Sequence, residues 1–442
     1  MLAPSERLSV KRVMLLMASR TYKARAFLAA ARKLDCAVVV ATDRMQVLSR
    51  LDPAGNLLLP FHDVSRAVQA ILEHHAQFPV DAILATDDEG AVIAAAANHA
   101  LGLPANSVQA VSNATHKGRT RQRFAAAALP TPAFREVHDI QEAQAATARI
   151  GYPCVVKPLN MSASRGVMRV NDDNELHVAC DRLQAILTAD AAQQPAADKE
   201  LAAAPWLVEA YIPGKEFALE GVLRDGALHT LALFDKPDPL EGPFFQETIY
   251  VTPSRLPVRR QEAIATAVGR AAQALQLQEG PIHAEVRCEG ETDIVLEIAP
   301  RSIGGRCSAA LRFGEEGGTS LEEVLLAWAL RINKPLPPRE SQASGVLMIP
   351  IPFAGILRQV GGIDTARAVT GVTGLEITIP VGQAIQPPPD GWQYLGFVFA
   401  HATLPETAEH TLRTAHARLQ IDIERRPGPQ ALASKEKHDR SH

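Results

Sequence analysis

The chain has 442 residues, of which 47% are hydrophobic and 21% are charged, and its formal net charge at pH 7 is −4. A globular chain of this length is too long for one core, so two or three domains are predicted. The slightly acidic balance and the aromatic content of 5% argue against nucleic acid as the main partner, because phosphates attract basic surfaces and bases stack on aromatic rings.

Residues 11–112 alternate between apolar strands and amphipathic helices. Strands are predicted at "RVMLLMA", "CAVVVAT" and "DAILATD", and helices at Thr21–Leu34, Val64–His75 and Glu89–Leu101. Continuous apolar strands separated by helices predict a parallel sheet that is covered on both faces. No GxGxxG follows the first strand and GxxxxGK[ST] is absent, so this half is predicted to be a nucleotide-binding type of α/β fold without the phosphate fingerprint.

The character of the sequence changes at about Ser112. The stretch "HKGRTRQRFAAAALPTP" predicts a basic helix that ends at a proline-bounded turn, and "YPCVVKPL" predicts a strand followed by the small-residue loop "NMSASRGV". Residues 188–204 are low in complexity and are predicted to form a mobile surface insertion. Two strands joined by a Pro-Gly turn are predicted in "WLVEAYIPGKEFALEGVL", and a helix at Val258–Leu277 and a hairpin follow.

The C-terminal part is predicted to be an α+β domain. Its strands are expected at "GVLMIPIP", "LEITIP" and "YLGFVFAHA", and its helix at Glu406–Leu419. The charged end "SKEKHDRSH" is predicted to be disordered. These changes along the chain predict domains at 1–112, 113–335 and 336–430, with a disordered tail at 431–442.

Cysteine usage and hydropathy indicate the compartment. The five cysteines are scattered, odd in number and never spaced as CxxC: Cys36, Cys154, Cys180, Cys288 and Cys307. This pattern argues against a disulfide framework or a zinc site and favours a reducing cytosol. The run "VMLLMA" is too short for a secretion signal or a membrane span, so a cytoplasmic protein with no membrane partner is predicted.

The predicted hairpin "GPIHAEVRCEGETDIVLEIAPR" places charged residues between apolar neighbours. Alternate residues of a strand share a face. Two such sets are expected to face one cavity: His283, Glu285 and Arg287, and Val295, Glu297 and Ala299. Two carboxylates over one cavity suit Mg²⁺ that is bound jointly by protein and phosphate oxygens. The alternative, a pair of exposed glutamates on an edge hairpin, has about equal weight when the motif is taken alone.

Two lysines and a loop are candidates for phosphate contacts. Lys157 lies within an apolar strand, where an unpaired ammonium would be costly, and a phosphate is a natural partner for it. The following "SASRG" offers hydroxyls and backbone N–H groups that could close over phosphates. The alternatives are a lysine whose ammonium reaches solvent from an edge strand and a plain surface turn. Lys117 is a weaker candidate, because a basic helix face is normally solvated.

In "LVEAYIPGKE", Glu209 ends a strand and Glu216 lies across the turn. One could accept a hydrogen bond from an adenine amino group and the other from ribose hydroxyls. Two ordinary surface acids are the alternative, and spacing alone does not decide between them. After Arg301, the Gly304-Gly305 pair leaves room for a ligand, and arginines nearby could grip a carboxylate.

These pieces occur in an order that resembles the ATP-grasp superfamily: a helix lysine, a strand lysine, a small-residue loop, "VEAYIPGKE", and two glutamates followed by "APR". The resemblance covers roughly residues 113–310, and it is strongest to the carboxylate–amine ligases, including L-amino-acid ligases and purine-pathway ligases. The tail "YLGFVFAHA…LRTAHARL" is similar to a biotin-carboxylase-type C-terminal domain. The implied fold is an N-terminal parallel-sheet pre-ATP-grasp domain, a two-lobed α+β ATP-grasp domain with its nucleotide flap lobe at about 150–212, and a small α+β C-terminal domain.

The resemblance also implies roles for single residues. Arg301 would stabilise developing charge, Lys236 would approach the phosphates, and His283 would relay a proton of the amine, with a packing histidine as the alternative. ATP would be held by Lys117, Lys157, Ser162, Ser164, Arg165, Gly166, Val167, Glu209, Ala210, Ile212 and Glu216. Mg²⁺, or Mn²⁺ in its place, would be held by Glu285 and Glu297. The substrate would be met by Arg287, Gly304, Gly305 and Arg306.

One departure from the family pattern concerns the metal. Many relatives have asparagine two residues after the second glutamate, where this chain has Ala299. The resemblance as a whole implies a ligase that joins small-molecule carboxylates and amines through an acyl phosphate. No nucleic-acid or membrane partner is implied, and a homodimer is one possible assembly. The alternatives are a carboxylase or purine-type ligase that activates bicarbonate or formate, and an ATP-binding regulator without turnover.

Overall fold

The structure is a computed structural model that describes residues 10–19, 21–44, 52–192, 204–315, 317–332 and 334–425. The predicted tail at 431–442 and most of the predicted insertion at 188–204 lie outside the described residues. The described chain forms two compact units. The first unit falls within Met1–Glu136, Glu209–Lys236 and Thr252–Ala343, and the second within Val137–Val208, Pro237–Val251 and Ser344–His442.

Helices and strands are numbered in chain order. The helices are α1 (Ala24–Lys33), α2 (Val64–Gln77), α3 (Asp88–Ala100), α4 (Val108–Thr115), α5 (Lys117–Ala126), α6 (Ile140–Ile150), α7 (Asp173–Ala191), α8 (Val258–Leu275), α9 (Leu321–Ala329), α10 (Ile363–Arg367) and α11 (Pro405–His416). The strands are β1 (Arg12–Leu16), β2 (Ala37–Thr42), β3 (Asn56–Leu58), β4 (Ala82–Ala85), β5 (Phe134–Val137), β6 (Cys154–Pro158), β7 (Met168–Val170), β8 (Trp206–Ala210), β9 (Lys215–Arg224), β10 (Ala227–Asp235), β11 (Ile249–Thr252), β12 (Gly280–Glu289), β13 (Thr292–Ala299), β14 (Arg312–Phe313), β15 (Thr319–Ser320), β16 (Ala343–Ile349), β17 (Gly355–Gly361), β18 (Val372–Ile377), β19 (Ala384–Ile385), β20 (Gly396–Ala402) and β21 (Gln420–Glu424). None of the helices in the described ranges is long and apolar enough to cross a membrane.

The first unit begins with the predicted parallel sheet, in the order β3-β2-β1-β4. Strands β1 and β4 are buried because their side chains are apolar on both faces, and α2 and α3 contribute Ile71, Ile93 and Ala97 to the same core. Helix α3 starts directly beyond β4, with Asp87 as the N-cap residue. This short connection places two acidic residues, Asp87 and Asp88, at the carboxyl edge of the sheet.

The first unit also contains an antiparallel sheet in the order β13-β12-β9-β10. One face packs on α8, through Ile264, Val268 and Leu275, around a core that includes Ala284 and Ile298. Helix α8 ends two residues before the predicted end, because Gln276 adopts the left-handed conformation with φ 65°. The fold class that the sequence predicts, α/β with antiparallel α+β parts, is confirmed.

The hairpin of β12 and β13 contains a bulge that sequence analysis missed. Glu285 lies directly opposite Glu297, but Val286 lies opposite Val295, so Leu296 has no partner in the ladder. Val295 consequently joins Val286 in the apolar core. The prediction that Val295 shares the face of Glu297 is therefore wrong, because a bulge reverses the alternation of side chains.

In the second unit, strands β8, β6 and β7 are neighbours in that order, and α7 packs on β6 and β7. Helix α7 extends to Ala191, so residues 188–191 are helical, and the prediction that they begin a mobile insertion is wrong. The remaining strands form the orders β11-β16-β20-β18 and β19-β17-β21. Helix α11, which covers most of the helix predicted at Glu406–Leu419, packs on β20.

Candidate active site

The two predicted metal ligands lie side by side on one face of the hairpin. Glu285 and Glu297 are cross-strand partners, with side chains that are 21% and 28% exposed. Lys236 Nζ lies 3.2 Å from Glu285 Oε1, and Lys117 Nζ lies 3.2 Å from Glu297 Oε2. Like charges directly opposite each other in a sheet are unfavourable unless cations lie nearby. The pair is therefore a candidate cation-binding position, since carboxylate oxygens of this kind are the ligands that Mg²⁺ prefers.

Lys236 connects the acid pair to strand β9. Its buried ammonium donates to Glu216 Oε1 at 2.7 Å and to Glu285 Oε1 at 3.2 Å. The carboxylates of Glu216 and Glu285 also lie within 4.8 Å of each other. One lysine thus neutralises part of the charge of two acids, and the structure brings together three residues that the sequence placed in different motifs.

His283 is held by Glu220, a residue that sequence analysis missed. Nδ1 of His283 lies 2.5 Å from Glu220 Oε1, and the Glu220 side chain is only 1% exposed. Burial alone would lower the pKa of His283, but the hydrogen bond and charge of Glu220, with a smaller effect of Glu285, raise it to about 9. At neutral pH the ring is therefore an imidazolium, which has no nitrogen free to accept a proton. This geometry favours a fixed positive charge over the predicted proton relay.

Glu220 also anchors the loop that follows β13. Its Oε2 accepts a hydrogen bond of 3.2 Å from the backbone N–H of Ile303. The signal in the sequence was the alternation of "KEFALEG", which places Glu216, Ala218 and Glu220 on one face of β9. Their partners on β12 are Arg287, Glu285 and His283 respectively. Two of these three pairs, Glu216 with Arg287 and Glu220 with His283, therefore join an acid to a basic side chain across the two strands.

The predicted adenine and ribose ligands have partners within the protein. Both oxygens of Glu209 accept from Arg121, with distances of 2.8 Å from Nε and 3.3 Å from Nη2. Arg121 also donates 2.8 Å to the carbonyl of Leu296, the bulge residue. Glu216 accepts 2.9 Å from Arg287 Nε, and Arg287 Nη1 donates 2.6 Å to the carbonyl of Ile212. Arg287 is thus hydrogen-bonded to the segment predicted to bind the nucleotide. These contacts do not favour the prediction that Arg287 binds a substrate carboxylate.

Replacement of Arg121 by methionine is expected to lower the free energy of unfolding by about 3–5 kcal/mol, because it breaks the buried ion pair with Glu209 by removing one partner. Denaturant unfolding followed by circular dichroism measures this loss. Arg119→Met is the matched control, since Arg119 is exposed on the same helix. The double variant with Glu209→Gln should recover part of the loss, and equal stability of Arg119→Met and Arg121→Met would contradict the prediction.

Arg301 emerges from the end of β13 into a polar cluster. Nε and Nη2 donate to the two oxygens of Asp88 at 3.0 and 2.9 Å, and Nη1 donates 3.0 Å to the carbonyl of Ser302. The loop then turns at Gly305, with φ 58°, where glycine is favoured. A Cβ at Gly304 would meet no atom within 4 Å, so this segment has open space beside it, as predicted.

The predicted flap residues lie in the second unit. Lys157 is 8% exposed within β6, whose five residues are all buried, so its predicted position inside an apolar strand is confirmed. In the following loop, Ser164 and Gly166 have φ of 55° and 72°. Arg165 Nη1 donates 2.6 Å to Asp190 of α7, a partner that sequence analysis had assigned to the insertion.

A second contact ties this loop to the C-terminal segment of the same unit. The N–H of Gly166 donates 2.9 Å to the carbonyl of Pro389, and Arg165 Nε donates 3.3 Å to the carbonyl of Asp390. The Asp390 side chain in turn accepts from Arg182 of α7. The loop at 162–167 is thus held from both sides, and no local motif could have predicted a contact across more than 200 residues.

Three family models match successive parts of the chain. The ATP-grasp N-terminal domain matches residues 28–105, the ATP-grasp domain matches 150–310, and the L-amino acid ligase C-terminal domain 2 matches 347–424. The order of the three matches is that of the predicted domains.

Individual relatives and solved structures each match a longer part of the chain than any one of these family models does. An alanine–anticapsin ligase of Bacillus subtilis is 25% identical over 293 residues, which are 62% of this chain and 60% of the relative. The chain spans about 60% of the length of the curated relatives that it matches first. A crystal structure of an L-amino acid ligase from Bacillus licheniformis has a TM-score of 0.75 at 24% identity, over 94% of this chain and 99% of that one. A carboxyaminoimidazole ribonucleotide synthase of Aspergillus clavatus, solved with ATP, has a TM-score of 0.69 at 17% identity, over 93% and 99% of the two chains.

Proposed function

Because the chain is a member of the ATP-grasp superfamily with an L-amino acid ligase C-terminal domain, we propose that it is an ATP- and Mg²⁺-dependent ligase of amino acids. It joins a carboxylate to an amine and releases ADP and phosphate. The observation that carries this proposal is the cross-strand pair of Glu285 and Glu297, with one lysine 3.2 Å from each carboxylate. The similarity to an alanine–anticapsin ligase supports amino acids as the substrate class.

The donors of the acid pair fit a magnesium ion. Glu285 and Glu297 would hold it, with Mn²⁺ as a substitute, and when bound it would neutralise charge on the phosphates. Lys117 and Lys236 would then leave their carboxylate partners and pair with phosphate oxygens. A lysine ammonium can change partners in this way because it is a compact charge on a flexible stem. Lys157 and the loop residues Ser162, Ser164, Arg165, Gly166 and Val167 keep their proposed role as phosphate ligands. Glu209, Ala210 and Ile212 keep theirs at adenine, and Glu216 at the ribose.

The proposed reaction has two steps. A substrate carboxylate oxygen attacks the γ-phosphorus of ATP, the bond to the β-phosphate oxygen breaks, and ADP leaves. The substrate ammonium loses one proton, the resulting amine nitrogen attacks the acyl carbon, inorganic phosphate leaves, and the nitrogen then loses its second proton to solvent. Arg301 would stabilise the negative charge that develops in the first step, and the imidazolium of His283 would add a second fixed positive charge. Exclusion of water protects the acyl phosphate from hydrolysis.

The proposed substrate loop is Gly304, Gly305 and Arg306, without Arg287. The open space beside Gly304 supports this choice, whereas the contacts of Arg287 with Glu216 and Ile212 favour a role in holding the nucleotide segment. We also keep the domain boundaries 1–112, 113–335 and 336–430 as proposals, since one family match lies within each.

We further propose a cytoplasmic enzyme that acts on small molecules, with a homodimer as one option for its assembly. Within the described chain none of the five cysteines forms a disulfide, and three of them are buried, which supports a reducing compartment.

A phosphate-release screen over pairs of amino acids, with mass spectrometry of the hits, tests the proposed function. We expect release that depends on ATP, Mg²⁺ and both substrates, with a product whose mass is the sum of the two amino acids less one water. A product that has gained the mass of carbonic acid or formic acid less one water would favour the carboxylase or purine-type reaction. ATP binding without phosphate release for any substrate set would instead favour the regulator.

A further inference from the structure

The N-terminal α/β domain contributes a buried amino group to the loop that carries Arg301. Lys23 is the N-cap residue of α1, and only 2% of it is exposed. Its Nζ donates to the carbonyl of Thr86 at 2.6 Å and to the carbonyl of Ser302 at 3.1 Å, and it lies 3.6 Å from Asp87. Lys23 therefore joins the end of β4 to the residue that follows Arg301.

The same domain contributes the carboxylate that holds the guanidinium. Asp88, the first residue of α3, accepts from both Nε and Nη2 of Arg301, in the bidentate geometry that fixes both position and plane. Burial would raise the pKa of the Asp88 carboxyl, but the charge of Arg301 outweighs this effect and lowers the pKa below its ordinary value. The carboxylate is thus ionised at neutral pH, and its place at a helix N-terminus stabilises that charge further.

Three of the five N–H groups of Arg301 are occupied by these contacts. Nε and one N–H of Nη2 face Asp88, and one N–H of Nη1 faces the carbonyl of Ser302. Within the described residues, this leaves one N–H on each terminal nitrogen, and both lie in the plane of the guanidinium. Such a pair matches two oxygens of a phosphoryl or carboxylate group.

We propose that Asp88 is a positioning residue that sets the guanidinium of Arg301 so that its two remaining N–H groups face the reacting phosphoryl group. Lys23 supports this arrangement by fixing the carbonyl of Ser302, which also accepts from Arg301. The N-terminal domain thereby completes the catalytic constellation of the ATP-grasp domain. This inference rests on the proposed function, because it assigns Arg301 to the chemical step.

The test compares the steady-state kinetics of Asp88→Asn with those of the wild-type enzyme, using the amino-acid pair that gives phosphate release. Asparagine keeps the size of the side chain but loses the charge and one of the two acceptors. We expect kcat to fall about 10- to 100-fold, as misplacement of a catalytic group does, while the KM for ATP changes little. Asp88→Glu, which restores the carboxylate, should recover part of the lost kcat.

Two comparisons separate positioning from a merely structural role. Asp81→Asn is the matched control, because Asp81 precedes β4, accepts from Lys11 and the N–H of Arg12, and lies outside the proposed site. In a double-variant cycle, Asp88→Asn should add little to the loss caused by Arg301→Lys, since both remove the same constraint. Unchanged kcat in Asp88→Asn, or fully additive losses, would overturn the inference. Absence of phosphate release from the wild-type enzyme with every pair would instead overturn the proposed function.

Discussion

Replacement of Glu297 by alanine is expected to abolish Mg²⁺-dependent turnover while the fold remains intact. The metal is proposed to supply several kcal/mol of charge stabilisation in the transition state, so its loss should lower kcat by about 10²- to 10³-fold or more. The side chain is partly exposed and lies outside the apolar core of the sheet, so we expect only a small change in melting temperature. Phosphate release as a function of Mg²⁺ concentration measures the effect.

Glu289→Ala is the control for this experiment. Glu289 ends β12 in the same hairpin and is exposed, so its loss should leave both turnover and Mg²⁺ dependence unchanged. Glu297→Gln keeps the volume and tests whether the charge is what matters. If Glu297→Ala turned over at the wild-type rate with the same Mg²⁺ dependence, the metal assignment would have to be withdrawn.

The face shared by the two acids could be predicted because it depends only on local geometry. Glu285 and Glu297 lie on two strands joined by a short turn, and alternation along each strand brings them to one face. The same rule failed two residues earlier on β13, at Val295. A bulge adds one residue to one strand, and its position depends on hydrogen bonds between strands rather than on the alternation of the sequence.

The partners of the charged residues could not be predicted, because they depend on strand order. Strand β9 lies between β10 and β12, which brings Glu220 to His283 and Glu216 to both Lys236 and Arg287. The alternation of acids along β9 was visible in the sequence, but the identity of the neighbouring strand was not. Asp88 and Arg301 are 213 residues apart, and predicting their contact requires knowledge of how the chain returns to its N-terminal domain.

These partners change the chemistry that the motifs imply. A histidine next to a metal ligand reads as a base when only its own strand is considered. The hydrogen bond and charge of Glu220 raise the pKa of that ring and thereby favour its cationic form. In the same way, Arg287 looks like a substrate ligand in the hairpin, but its contact with the carbonyl of Ile212 ties it to the segment proposed to bind adenine.

Lys157→Ala is expected to weaken ATP binding severely. Lys157 is buried in β6, and charge-assisted hydrogen bonds to phosphate are each worth about 1.5–3 kcal/mol. Since 1.4 kcal/mol is tenfold in affinity, the dissociation constant for ATP should rise by about 10- to 100-fold. Isothermal titration calorimetry with Mg²⁺ and ATP measures it directly, without turnover.

Two further variants decide whether charge or packing is responsible. Lys157→Met keeps most of the apolar stem, so it should bind ATP as weakly as Lys157→Ala while retaining more of the wild-type melting temperature. Arg149→Ala removes an exposed positive charge from α6 of the same lobe and should bind ATP with the wild-type affinity. If Lys157→Met bound ATP as tightly as the wild-type protein, the buried ammonium would serve the fold of the lobe instead of the nucleotide. The phosphates would then have to be held by the backbone of the loop at 162–167 and by Lys117 and Lys236.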